Sequence, residues 1–260
     1  MEVPPKGLIP RLLASEIAYT VARAAVIGRW AGNPFGVAMR PDGAVFACRV
    51  TAVPTPWLNR VIGLGEESAE LVPALLAWFA EAGIGGRFEV TPDSAGPTIA
   101  AALARAGLVP RDGGAIVCGT VRDVAMPACV ELAGVAATHE VFLDTHLAEL
   151  ELPESIRDAV KGNLRGWLGL PGWHLLLARH DGVAAASCVL FVADGVAYVA
   201  DMATRPEHRG HGMQTALLAA CHARAASANL IWARCRFLSQ SHRNLQRGGL
   251  RTLCTTGFWT

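Results

Sequence analysis

The sequence predicts a two-domain α/β chain of the α+β kind, in which each half is a mostly antiparallel mixed sheet flanked by helices. Three observations carry this expectation. Two Asp-Gly hairpin signals, Asp181-Gly182 and Asp194-Gly195, join three strand-like apolar runs. The last run feeds a glycine-bearing turn and a helix that returns to another strand, the order of a right-handed parallel crossover. The same order of elements recurs in the first half of the chain. At 260 residues and 52% hydrophobic, the chain can fill two cores.

In the first half, Gly36 to Arg40, a Pro41-Asp42-Gly43 turn and Ala44 to Val50 read as a hairpin. Asn59 to Ile62 is strand-like, and Gly63-Leu-Gly65 opens a helix that continues to about Ala82. Arg87 to Val90 is a further strand, Thr98 to Ala106 a helix closed by Ala-Gly-Leu108, and Ala115 to Val121 a strand. The junction near Val124 to Pro127 separates an expected domain 1–125 from an expected domain 126–260.

In the second half, Phe142, His146 and Leu150 share one helical face, and Ile156, Val160, Leu164, Trp167 and Leu168 share another. Trp173 to His180, Val183 to Ala193 and Val196 to Thr204 form a three-strand antiparallel meander. The helix after the glycine turn carries Met213, Leu217, Ala220 and Cys221 on its apolar side. It returns through a strand, Leu230 to Phe237, so the sheet is mixed. A short helix, Ser239 to Arg247, ends at Gly248-Gly249, and a last strand runs toward Thr260. Gln-Arg-Gly-Gly-Leu250 mirrors Ala-Arg-Ala-Gly-Leu108.

The formal charge of +1 supplies no global attraction to nucleic acid or acidic membranes, so any phosphate recognition is local. The longest apolar stretch, Val183 to Ala203, is broken by Asp194-Gly195 and Asp201, and Arg11, Glu16 and Arg23 interrupt the N-terminal segment. A cytoplasmic protein without a membrane span or signal peptide is expected. The seven cysteines contain no C-x-x-C pair and read as reduced core residues.

The chemistry concentrates at Arg205-Pro-Glu-His-Arg-Gly-His-Gly-Met-Gln-Thr215. Glycines at 210 and 212 let the backbone turn its N–H groups inward, and the helix that follows starts with unpaired N–H groups of its own. The result is an anion cradle ringed by Arg205, His208, Arg209 and His211. His208 and His211 have H-x-x-H spacing but sit in the turn, which favours phosphate partners over metal ligands, so no metal is expected. A Rossmann turn is a poor alternative. It needs a third glycine where Thr215 stands and an acid after the next strand, where Arg234 and Arg236 stand instead.

Glu207-His-Arg-Gly-His-Gly212 after the fourth strand and Asn244-Leu-Gln-Arg-Gly-Gly-Leu250 after the fifth resemble the GNAT superfamily of acyl-CoA-dependent N-acyltransferases over residues 128 to 260. The family's loop pattern Q/R-x-x-G-x-G/A is met at Gly210 and Gly212 and departs at Glu207. The resemblance implies a tandem chain that uses acetyl-CoA and releases coenzyme A. Arg209, Gly210, His211, Gly212, Met213, Gln214 and Thr215 would bind the diphosphate, and Met202, Ala203 and Thr204 the pantetheine arm, with Asn244 near the end of that arm. Asp201 is the candidate general base; a carboxylate capping the strand end or pairing with an arginine is an equal reading. The family's tyrosine acid is replaced by Leu245, while Ser239, Ser241 and His242 lie nearby.

Glu66 and Glu67 in the first glycine loop would repel a diphosphate, which makes residues 1–125 a degenerate, non-catalytic copy or else an unrelated α/β cap. The expected activity is N-acetyl transfer to a primary amine, on a small molecule or a peptide, by direct transfer in a ternary complex. The alternative is an acyl-CoA-binding sensor without turnover. Nucleic-acid and membrane partners are not expected, and a homodimer is compatible with the sequence. His139, His146 and His222 read as surface or boundary residues.

Overall fold

The computed structural model describes residues 7–53, 55–148 and 154–260. Its elements in chain order are α1 (Leu8–Gly28), β1 (Val37–Asp42), β2 (Val45–Val50), β3 (Arg60–Leu64), α2 (Val72–Ala80), β4 (Arg87–Val90), α3 (Pro97–Arg105), β5 (Pro110–Thr120) and β6 (Val130–Leu132). There follow α4 (Ala136–Leu147), α5 (Glu154–Arg165), β7 (Trp173–His180), β8 (Val183–Ala193), β9 (Val196–Thr204), α6 (Met213–Arg224), β10 (Leu230–Arg236), α7 (Gln240–Arg247) and β11 (Arg251–Trp259). Leu150 of the expected helix face lies outside the described residues. Among the described residues, no helix is long and apolar enough to cross a membrane.

The chain forms two compact units, one running to Ile116 and taking up Leu253–Thr260, the other Val117–Thr252. The chain therefore enters the second unit within β5 and returns to the first within β11. This differs from the 125/126 boundary drawn from the sequence. The returning strand pairs antiparallel with β4, Gly257 opposite Val90 and Trp259 opposite Phe88, and so covers that strand's hydrogen-bonding edge.

In the first unit, β1, β2 and β3 run antiparallel and β3 pairs parallel with β4. The hairpin turns on Gly43-Ala44, since Asp42 still pairs with Val45; the turn lies later than Pro41-Asp42-Gly43. The helix expected from Gly65 is a 3₁₀ segment, Glu66–Leu71, followed by α2. Pro73 in the first turn of α2 suits that restart, because the N–H it lacks has no helical partner there. Val45, Ala47, Val61 and Leu64 pack on Val72, Leu75, Phe79, Ile99 and Leu103 of α2 and α3. Phe46 and Cys48 point the other way and pack on Ala24 of α1.

Helix α1 has no counterpart in the sequence reading because several of its inward positions are polar. Glu16 is fully buried and pairs with Arg60 of β3 at 2.7 Å, Arg60 also lies 3.5 Å from Glu89, and Thr20 accepts from Arg60 at 3.2 Å. Arg87 completes the network by bonding Glu89, with its guanidinium 4.3 Å from both the Trp57 and the Phe258 ring centroids.

In the second unit the strand order is β5-β10-β9-β8-β7-β6. Strands β7, β8 and β9 have the bounds expected from the sequence, and β6, only three residues long, was not foreseen. Asp181 and Gly182, with φ of 51° and 78°, and Asp194 and Gly195, with 49° and 70°, make the two-residue turns that match strand twist. On β8, Cys188 faces Cys221 of α6, with the sulfurs 3.8 Å apart, and neighbouring Ser187 faces His146 of α4, whose Nδ1 is 3.2 Å from its Oγ. Helix α4 is tied to α5 by Arg165, which donates to both Glu140 oxygens at 2.6 and 3.0 Å. The closing turns of α3 and α7 share one geometry: Leu108 N–H donates to Leu103 O at 3.0 Å and Leu250 N–H to Leu245 O at 3.1 Å.

His139, His146 and His222 are buried, deeper than the surface or boundary positions expected of them; His146 sits against Ser187 of β8 and His222 against Arg122. Burial, reinforced by Arg122, pushes His222 down to about 4. Its Nδ1 accepts from Arg122 N–H at 3.2 Å, a bond only the unprotonated nitrogen can make.

Two outcomes are expected. Glu16→Ala removes the nearer carboxylate of Arg60 and leaves it Thr20 and Glu89, so it should lower the opening free energy of β3 and β4 amides by about 1–3 kcal/mol in hydrogen exchange. Since the folded pKa of His222 lies below its unfolded value, its contribution is complete above about pH 6.5 and is lost as pH falls toward 4. His222→Asn should flatten the decline in urea midpoint between those pH values.

Candidate active site

Strands β9 and β10 start as a tight parallel pair. Val196 lies opposite Leu230, Ala197 opposite Ile231, Tyr198 opposite Trp232 and Val199 opposite Ala233. The Tyr198 and Trp232 rings stack at 4.5 Å and 26°. Beyond Val199 this pairing ends, while β9 keeps its bonds to β8: Ala200 faces Val189, Ala203 faces Ser187 and Thr204 faces Ala186. Asp201 and Met202 together stand opposite the single residue Cys188, which is a β-bulge. Asp201 takes the left-handed conformation, φ 46°, that the bulge needs, and aspartate tolerates it better than a branched residue would. The register of β9 with β10 thus stops at Val199, before the stretch Ala200 to Thr204, as an extended ligand that adds as a strand would require.

Strand β9 leads into the glycine turn. After a 3₁₀ turn at Pro206–His208, Gly210 and Gly212 have φ of 84° and 77°, and no atom lies within 4 Å of where a β-carbon would stand on either. The demand for glycine there is conformational, and the space around the turn is open. The first helical bond of α6 runs from Ala216 N–H to Gly212 O at 3.0 Å, so the amides of Met213, Gln214 and Thr215 precede the helical ladder. Arg209 is exposed beside them, its Nε 3.4 Å from Thr204 O. The residues present fit a diphosphate: open amides, a helix N-terminus and a guanidinium.

Gln214 and Asn244, singled out separately in the sequence, are brought together. Asn244 Nδ2 donates to Gln214 Oε1 at 2.6 Å, and Gln214 Nε2 donates to Ser241 Oγ at 2.9 Å, which pins the start of α6 to α7. The other acid candidates have structural partners: Ser239 Oγ accepts from His242 N–H at 3.1 Å as a helix cap, and His242 bonds Thr252 Oγ1 at 2.8 Å. Leu245 is buried in the core. Burial, then Cys221, then the charge of Asp201 hold the Cys188 thiol well above its ordinary range, so it is no thiolate nucleophile. Trp167 and Trp173 are core residues, their rings 5.2 Å apart.

Sequence reasoning missed two features of the site. The bulge was signalled only by an aspartate inside an apolar strand. His180, at the end of β7, joins His208 and His211 through folding alone, its Nδ1 3.3 Å from Nδ1 of His208.

The corresponding place in the first unit is built differently. Strands β3 and β4 pair again at Leu64 and Val90, at the end of both, across a register shift that sets Ile62 and Gly63 opposite Glu89. A β-carbon on Gly63 would collide with Ala44 O, so that glycine serves close backbone approach. Glu66 accepts from the amides of Ile99 at 2.9 Å and Thr98 at 3.3 Å, and the Thr98 side chain first, then these amides, hold its carboxyl below the usual range. Its carboxylate therefore occupies the N-terminus of α3.

Residues 137–245 match the model of the Acetyltransferase (GNAT) family. No curated protein matches the chain. Among solved structures, a GCN5-related N-acetyltransferase from Kribbella flavida is similar at 18% identity and TM-score 0.66, over 98% of this chain and 96% of that one. A tandem GNAT protein from the clavulanic acid biosynthesis pathway is similar at 16% identity and TM-score 0.58, over 99% of this chain and 96% of that one. A GCN5-related N-acetyltransferase from Sphaerobacter thermophilus matches at 11% identity and TM-score 0.57, over 83% and 79%. The second unit therefore carries a domain of the GNAT acetyltransferase family, and the chain has the fold of GNAT proteins, tandem ones included.

Proposed function

We propose that the second unit is an N-acetyltransferase that takes an acetyl group from acetyl-CoA and passes it directly, within a ternary complex, to a primary amine of a small molecule or peptide. The observation that carries this reading is the parting of β9 from β10 at the Asp201 bulge, in line with the open glycine turn. Acetyl-CoA, when bound, supplies the thioester.

The chain's own groups then have defined tasks. The turn from Arg209 to Thr215 holds the diphosphate with backbone amides and one guanidinium. Met202, Ala203 and Thr204 offer the β9 edge to the pantetheine amides, and Asn244 supports the end of that arm through Gln214. A backbone N–H near Met202 or Ala203 donates to the developing oxyanion. Asp201 removes the proton of the amine, directly or through water. With Leu245 in the core, the thiol leaves without a dedicated acid, which its ordinary pKa of about 8.5 permits. The first unit is read as a non-catalytic copy, since Glu66 caps the start of the neighbouring helix α3 and β3 and β4 still pair at Leu64 and Val90.

The buried Leu245 also motivates the second reading, an acyl-CoA sensor that binds without turnover. Thiol release from acetyl-CoA with a panel of amines separates the two. Amine-dependent release is expected; tight binding with no release for any amine supports the sensor. Arg209→Glu and Gly210→Asp should each weaken acetyl-CoA binding by about tenfold or more in calorimetry, since each puts negative charge in the cradle. Unchanged affinity in both would refute the cofactor assignment.

A further inference from the structure

Arg205 follows the last residue of β9, and its guanidinium makes fewer bonds than it can. Its backbone N–H continues the ladder to β8, donating to Ala185 O at 2.9 Å. Ala203 stands opposite Ser187, whose hydroxyl faces His146 of α4, so strand alternation puts Arg205, two residues on, on the α4 side of the sheet. Its side chain agrees: Nη2 lies 3.5 Å from Thr145 Oγ1 of α4, and the residue expected to ring the glycine turn reaches toward α4 instead. That long contact is its one side-chain hydrogen bond among the described residues, while Nε is sealed from water with no acceptor. The acids of α4 are engaged elsewhere, Glu140 with Arg165 and Asp144 with Lys161. Arg157 of α5 brings a second guanidinium to the same end of α4, donating to Leu147 O at 3.3 Å. Among the described residues, neither arginine has an ion-pair partner.

A half-buried guanidinium without an acid is costly, because each N–H withdrawn from water needs an acceptor. The helix end accounts for Arg157, which bonds a carbonyl of its last turn. Nothing comparable serves Arg205. We propose that Arg205 binds a carboxylate on the acceptor, so that the substrate is a small amine that also carries an acid, as an amino acid does. The inference rests on the transferase reading above and adds the chemical class of the acceptor to it. The face of the sheet decides between cofactor and acceptor. In that reading the diphosphate takes the glycine turn and the start of α6, and α6 packs on the opposite side, where Cys188 meets Cys221. The pantetheine arm lies in the plane of the sheet along Met202 to Thr204. The α4 side is then the one left to the acceptor, and Arg205 stands on it about 7 Å along the strand from Ala203. A carboxylate there accepts paired bonds from the guanidinium fork, and Arg157 adds positive potential. Anchoring the acid orients the amine toward the thioester.

The test measures thiol release from acetyl-CoA with each common amino acid, its amide and the amine left by its decarboxylation, for wild type, Arg205→Gln and Arg205→Lys. Thermal melting and acetyl-CoA calorimetry show whether each variant keeps its fold and its cofactor site. In the wild type, kcat/KM for the preferred acid should be at least tenfold higher than for its amide or its decarboxylated amine. Arg205→Gln should remove that preference, mainly through KM, and Arg205→Lys should restore part of it, a point charge replacing the fork. Equal rates for acid, amide and amine in the wild type, or a preference that survives Arg205→Gln, would overturn the inference alone. So would a loss of acetyl-CoA affinity in folded Arg205→Gln equal to its loss in kcat/KM, since that places Arg205 with the cofactor. Release with no member of the panel would overturn the transferase reading together with it.

Discussion

The site depends on one constraint: β9 must stay bonded to β8 while it lets go of β10. Parallel strands have no reason to part while both offer regular edges, because each unpaired N–H and C=O buried away from water costs free energy. The bulge at Asp201 resolves this by inserting two residues opposite Cys188, which bends β9 without breaking its ladder to β8. Tyr198 stacked on Trp232 holds the pair shut up to the residue before the split. The groups exposed beyond that point are amide edges, and the segment that exposes them runs straight into a turn whose glycines and helix start point further amides outward. An extended ligand with amides at one end and phosphates at the other complements both.

The first unit shows what happens to similar elements without that constraint. Its parallel strands are short and pair again at their ends across a register shift, its glycine permits backbone packing, and a glutamate from the following segment caps a neighbouring helix. Its distinctive investment is a buried ion network, Glu16, Arg60, Glu89 and Arg87, which fixes α1 to the sheet. Such a network stabilises little by itself but is costly to break, so it specifies one packing arrangement. Similar local signals thus lead to parallel strands whose pairing stops at Val199 in one unit and to strands paired at Leu64 and Val90 in the other.

The legible parts of the sequence were those set by local chemistry. The Asp181-Gly182 and Asp194-Gly195 turns fixed the end of β7, both ends of β8 and the start of β9, and the glycines at 210 and 212 take the left-handed conformation expected of a tight turn. Features that depend on distant partners were not legible. Helix α1 hid because Ser15, Glu16 and Thr20 face inward, and Glu16 makes sense only beside Arg60, 44 residues away. The return of Leu253–Thr260 to the first unit depends on β4, and His180 meets His208 only because the β7–β8 hairpin ends beside the turn. The bulge leaves almost no trace in composition, although it decides where the strands divide.

The central claim is that the parted strands of the second unit are the chain's single acyl-CoA site. Native mass spectrometry of the full chain with saturating acetyl-CoA tests it most directly, alongside the variant Gly212→Asp, which places a strained, negatively charged residue at φ 77°. One equivalent bound per chain, absent from the folded variant, is the result this account expects. Two equivalents, or one that survives the substitution, would contradict it.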